Sequence, residues 1–334
     1  MKRLTFKPRP AKAALAQAVG ILLAVALVAP AAAATPATRT SDAAPPAIVT
    51  TTSPASAPAA GTAPSRSGLE IYQQFQQGLA DPSCGTEVSA RWSKHYAAAP
   101  KRLASQNEDT LLLFGYVLDA VREAHLPSEY ALIPFVESGY RPEARSPAGP
   151  VGMWQMIERT ARNHKVPIRK GYDGRLSPVD STRAAVRYLK TLHGMFAGDW
   201  RLAAMAYNAG EYRILSALKS GGQVARNAKP EALPNVPATT HAYVRKLHAL
   251  ACVLGEAEDR ESWVKAMDRP APRLQAVTIG DGINRLADWA DRNGQDAARL
   301  GRLNPGFSGG RIASSDDAPV HLLAPPSMTI SGVN

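Results

Sequence analysis

The chain has 334 residues, 45% of them hydrophobic, a formal net charge of +11, seven histidines and two cysteines. That is enough apolar sequence for a sizeable core and too few cysteines for a disulfide-stapled scaffold. The histidines show no metal-ligand spacing, with no HExxH and no Cys/His cluster, and no basic stripe or nucleic-acid motif occurs, so metal, cofactor and nucleic acid are all expected to be absent.

Residues 1–34 carry five positive charges (Lys2, Arg3, Lys7, Arg9, Lys12), no negative ones, then a short apolar run and small residues. This pattern predicts a signal peptide cleaved after Ala34. No cysteine precedes Cys84, so the mature chain has no site for N-terminal lipid attachment. An exported, periplasmic protein that is not a lipoprotein is expected. Taking those five charges off the formal +11 leaves +6, which suits an anionic partner such as a cell wall or membrane surface. In an oxidising compartment Cys84 and Cys252 fit a disulfide, while Cys252 within LHALACVLG equally fits a buried thiol. Spacing alone leaves both open.

Residues 35–66 are rich in Ala, Pro, Thr and Ser, cannot bury a core, and read as a disordered tether. Folded sequence starts near Ser67. Leu69, Tyr72, Phe75 and Leu79 form a helical stripe, and a second helix runs through NEDTLLLFGYVLDAVREAHLP to Pro127. Ser128 is placed to cap a helix over 129–138, with Gly139 as its stop. Ser177-Pro178 opens the next long helix, striped by Ala185, Leu189, Leu192 and Phe196. DWRLAAMAYNAG closes at Gly210, and Tyr243, Leu247, Leu250 and Leu254 repeat the spacing in a last helix. Residues 67–262 thus predict a mainly α domain. Residues 263–274 read as a linker, 275–325 as a small strand–helix–helix–strand module with Ile283, Leu286 and Ala290 lining its first helix, and 326–334 as a tail.

Glu137 is the anomaly, a carboxylate in the last turn of the apolar run ALIPFVES. A helix C-terminus and apolar neighbours both raise a carboxyl pKa, and a carboxyl protonated near neutrality is what a general acid needs. Pairing with Arg141 or Arg145 is the structural alternative. On the residues alone, Trp154 and Tyr207 also fit plain core, and Asn208 and Gly210 a helix cap and stop.

Glu137-Ser138, Gly152-Met153-Trp154-Gln155 and Ala206-Tyr207-Asn208-Ala209-Gly210 together resemble the lytic murein transglycosylases with a soluble-transglycosylase-like domain, most closely the membrane-bound D branch. The resemblance covers roughly residues 67–325 and includes the offsets from Glu137 to Ser146 and Gln155. It implies a goose-lysozyme-like helical fold, peptidoglycan glycan strands as partner, and cleavage of the β-1,4 bond between N-acetylmuramic acid and N-acetylglucosamine with 1,6-anhydro ends. Under it, Glu137 is the single acid/base, with Ser138 beside it. Ser146 and Gln155 line the cleft, and Met153 and Trp154 form an apolar wall. Tyr207 and Asn208 are site residues, and Tyr243 lies on the closing helix. Thr239-Thr240 departs from the family's Glu-Thr ahead of that tyrosine. The module at 275–325, with Leu300, Leu303, Asn304 and Pro305, resembles a degenerate LysM fold; glycan binding, packing and dimer contact all fit it, and a monomer is expected. Two other readings share the sequence: a true hydrolase of the same fold, favoured by a second carboxylate across the cleft, and a catalytically weak wall-binding protein.

Overall fold

The computed structural model describes residues 65–85, 88–106, 109–279, 282–312 and 320–326. The expected signal peptide, the tether up to residue 64 and most of the tail lie outside the described residues. Strand β1 (Ser65–Ser67) leads directly into α1 (Gly68–Gln77), because Ser67 and Glu70 form a reciprocal capping box. Ser65 and Arg66, expected within the tether, thus belong to the described fold. Arg66 is fixed there by a two-pronged ion pair to Asp119, at 2.7 and 2.8 Å.

Next come α2 (Ala90–Tyr96), α3 (Ala99–Ala104) and α4 (Thr110–Glu123). The helix expected over 129–138 is broken in two. A 3₁₀ turn spans Ser128–Leu132, and α5 covers only Ile133–Ser138. Pro134 is the physical reason: it has no N–H to give and its ring crowds the carbonyl one turn back, so the helix restarts with proline in its first turn. Ser128 makes no side-chain cap, although its N–H donates to Gly78 O at 2.8 Å. Gly139 stops α5 with φ 65°, as the left-handed C-cap requires.

After α6 (Glu158–Asn163), the short hairpin β2 (Ile168–Arg169) and β3 (Tyr172–Asp173) precedes α7 (Pro178–Met195). The Ser177 hydroxyl accepts from Asp180 N–H, as the Ser-Pro pattern predicts. Asp199 caps α8 (Trp200–Ala209), and Gly210 turns the chain into α9 (Glu211–Ser220). The 21-residue α10 (Ala238–Glu258) crosses the assembly. Ile71, Phe75, Phe114, Leu118, Ile133, Leu189, Leu202, Leu247 and Leu250 meet in one core, drawn from α1, α4, α5, α7, α8 and α10.

The segment expected as a linker is folded. It continues α11 (Glu261–Met267) into β4 (Pro270–Pro272), which pairs antiparallel with β1. Trp263, Met267, Ala271 and Leu274 are all buried in the main core, which is why the segment cannot swing free. Strand β5 (Gln275–Thr278), α12 (Leu286–Arg292), α13 (Ala297–Leu303) and β6 (His321–Ala324) follow, with β5 and β6 antiparallel. Leu286, Trp289, Leu300 and Leu322 form a second cluster, which Tyr172 of β3 completes. Buried Asn304 ties α13 to β6, donating to Leu300 O and Leu323 O and accepting from Leu323 N–H at 2.8–2.9 Å.

The cysteine question resolves as a disulfide. Cys84 and Cys252 are bonded, with Cα atoms 5.5 Å apart across a sequence separation of 168. The mainly helical class expected from periodicity is what forms. Among the described residues, no helix is long and apolar enough to cross a membrane.

Candidate active site

Short α5 delivers Glu137 to the wall of a cavity of about 570 Å³ that is also lined by Ser146, Gln155, Tyr207 and Asn208. Three separate loops and helices thus bring their polar side chains to one space. Glu137 is not paired with Arg141 or Arg145. Its Oε1 accepts a 2.6 Å hydrogen bond from the Tyr243 hydroxyl, delivered by α10.

Burial pushes the Glu137 carboxyl above the usual carboxylate range; the Tyr243 hydrogen bond and the Lys246 ammonium pull it partly back. Arg102 Nη2 donates to Gly139 O at 2.8 Å and Arg141 Nε to Ser138 O at 2.9 Å, so two guanidiniums offset the negative pole of α5. The surrounding phenols stay protonated. Tyr207 and Tyr243 are pushed far up by burial and by the Glu137 charge, and Tyr96 of α2 to about 12 for the same two reasons. Lys246 lies over the Trp92 ring at 4.7 Å, so α2 and α10 hold this ammonium between an aromatic face and the carboxyl it influences.

The remaining motif residues sit behind the cavity. Ser138 is buried, and its hydroxyl donates to Met153 O at 2.9 Å, pinning the loop that follows to α5. Met153 and Trp154 are 1% and 0% exposed, so both side chains belong to the core and neither faces the cavity. The Trp154 indole donates to Thr182 Oγ1 at 3.0 Å, and its carbonyl accepts from the Tyr207 hydroxyl at 3.0 Å. This packing fits the plain-core alternative for Trp154, and it places Tyr207 by a backbone contact. Gly152 permits the tight turn with φ 81°, where a Cβ would fall 1.9 Å from Arg175 O. Gln155, at φ 46°, closes the same turn by donating from Nε2 to Gly152 O at 2.8 Å. Asn208 Oδ1 accepts from buried Thr240 at 2.9 Å, while the neighbouring Thr239 is exposed.

Sequence reasoning missed the far wall of the cavity: Arg159 and Asn163 of α6, His164, Tyr188 of α7 and Glu211 at the start of α9. The only sequence signal was that Glu211 directly follows Gly210. No group of residues that could hold a metal ion occurs among the described residues.

Residues 119–229 match the transglycosylase SLT domain family. The chain is 31% identical over 210 residues to the membrane-bound lytic murein transglycosylase D of Escherichia coli (strain K12), covering 63% of this chain and 45% of that protein. It is 29% identical over 118 residues to the soluble lytic murein transglycosylase of Salmonella typhimurium, covering 34% of this chain and 18% of that one. The chain therefore spans less than half the length of these curated relatives. Among solved structures, the lytic transglycosylase Slt of Pseudomonas aeruginosa aligns over 51% of this chain and 28% of its own, with 19% identity and a TM-score of 0.36.

Proposed function

We propose, from a chain whose residues 119–229 match the transglycosylase SLT domain family, that the protein is a peptidoglycan lytic transglycosylase of goose-lysozyme-like fold that works with Glu137 as its one acid and base. The observation that supports this most is the raised carboxyl of Glu137, held by Tyr243 in a cavity with Ser146, Gln155, Tyr207 and Asn208.

In the proposed reaction the protonated Glu137 gives its proton to the glycosidic oxygen between N-acetylmuramic acid and N-acetylglucosamine. The muramoyl N-acetyl group stabilises the cation developing at C1. The Glu137 carboxylate then takes the proton of the C6 hydroxyl, whose oxygen closes on C1 to give a 1,6-anhydro end without water. Intramolecular attack gains from proximity, and a single raised pKa serves both steps. Tyr243, locked in its protonated form, steadies the carboxylate state. Ser146, Gln155 and Asn208 bind sugar polar groups, while Ser138, Met153 and Trp154 position the walls from behind.

The disulfide and the +6 charge fit export to the envelope, with the signal peptide over 1–34 and the sugar chain as partner. The 275–325 module acts in this reading as a LysM-like glycan holder. One observation favours hydrolysis instead: Glu211 places a second carboxylate on the same cavity, where it could position water. Mass analysis of muropeptides released from purified sacculi separates the two. Products one water lighter than reducing-end sugars are expected, and reducing-end products would replace the transglycosylase reading with the hydrolase.

A further inference from the structure

Two opposite charges face the cavity and do not satisfy each other. Glu211 Oε2 accepts from the Tyr188 hydroxyl at 2.7 Å, and its other oxygen has no hydrogen-bond partner among the described residues. On α6, Glu158 is spent on Arg162 at 2.7 Å, which leaves the exposed Arg159 guanidinium without an ion-pair partner among the described residues. Glu211 and Arg159 line the same space and make no ion pair with each other. Aromatic rings line the same cavity: the His164 ring lies 4.6 Å from that of Tyr188, and burial, with Arg187 nearby, lowers its imidazole pKa while Glu211 partly opposes the shift. Tyr188 in turn faces Tyr207 at 5.9 Å, so this wall is continuous with the Glu137 side. Arg187, beside the His164 ring, donates to His164 O at 2.7 Å.

A partly paired carboxylate and a guanidinium without an ion-pair partner among the described residues line one cavity, a charge pattern that suits a ligand with both charges. We propose that this end of the cavity is a subsite for a zwitterionic amino-acid head group, an ammonium and a carboxylate on one carbon, as borne by the free end of a diamino dicarboxylic acid in an uncross-linked stem peptide. Glu211 takes the ammonium, oriented by Tyr188, and Arg159 takes the carboxylate. A stem whose amine is the acceptor of a cross-link has an amide in place of that ammonium and loses the Glu211 contact, so the subsite selects stems whose amine is free. The inference rests on peptidoglycan as substrate.

The test is calorimetric binding of four soluble ligands to the protein. They are the disaccharide-tetrapeptide with free diaminopimelate, the same with that amine acetylated, the same with that carboxyl amidated, and the stem-free disaccharide. The free form is expected to bind about tenfold more tightly than either blocked form. Glu211→Gln should abolish the penalty of acetylation and keep that of amidation; Arg159→Gln should do the reverse. Equal binding of free and blocked forms to the wild type, or uniform weakening of all four ligands in both variants, would overturn the subsite whatever products sacculi release. Failure of the sacculus assay with this binding pattern intact would sink the transglycosylase reading alone.

Discussion

Glu137 is one residue in a neighbourhood that opposes its charge by burial and supports it by only two groups, Tyr243 and Lys246. Its folded pKa lies above its unfolded one, so between those two values the folded state holds more protons and stability falls as pH rises. Glu137→Gln removes that liability. The variant should melt a few degrees higher at pH 7, corresponding to about 1 kcal/mol, with the difference shrinking towards pH 4; calorimetric melts across pH check this. Lys246 supplies a second handle. Removing its ammonium removes an influence that lowers the carboxyl, so Lys246→Met should shift the alkaline limb of the kcat/KM profile to higher pH, because the acid form then survives further. An unmoved limb would mean that Lys246 does not sense the carboxyl. At this scale the motif residues were legible because each sits beside glycine, proline or a fixed offset that constrains it. Tyr188, His164, Arg159 and Glu211 were not, since polar residues at helix starts and on exposed faces are ordinary until the fold brings them to one wall.

α5 shows what an element contributes beyond its residues. It is only six residues long, carries a proline in its first turn and is stopped by a left-handed glycine, so its direction is fixed at both ends. Arg102 bonds Gly139 O, and a Cβ on Gly139 would lie 2.7 Å from Arg102 Nη1. Gly139→Ala therefore combines left-handed strain with displacement of that arginine. It should cost about 1–2 kcal/mol of stability and reduce turnover through a shifted Glu137, readable from denaturant melts alongside initial rates. Helical periodicity located α1, α4, α7, α8 and α10 because each buries one stripe of a 3.6-residue repeat. It failed around Pro134, where the apolar pattern continues through a break in backbone hydrogen bonding. It also failed at 263–274, whose prolines read as linker while the strand they form lies at a sheet edge, where proline is tolerated.

Across the whole molecule, the two ends of the described chain are tied together. β1 pairs with β4, Asp119 joins Arg66 and Arg273, and Asp109 joins Arg299 of α13 to the start of α4. The disulfide adds a constraint across 168 residues, between the loop after α1 and the middle of α10. The pairing was undecidable in sequence, because it depends on the distance between two segments that only the packed core sets. Reduction, or Cys84→Ser with Cys252→Ser, should lower stability by about 2–4 kcal/mol, seen as a lower denaturation midpoint with an unchanged folded spectrum. α10 carries both the disulfide cysteine and Tyr243, so loosening it should also weaken the hold on Glu137. The most direct test of the account is the rate of muropeptide release from purified sacculi by Glu137→Gln beside the wild type, with circular dichroism confirming that both are folded. A loss of about 10²–10⁴-fold is the result expected of a single acid and base; release at a rate near that of the wild type would contradict it.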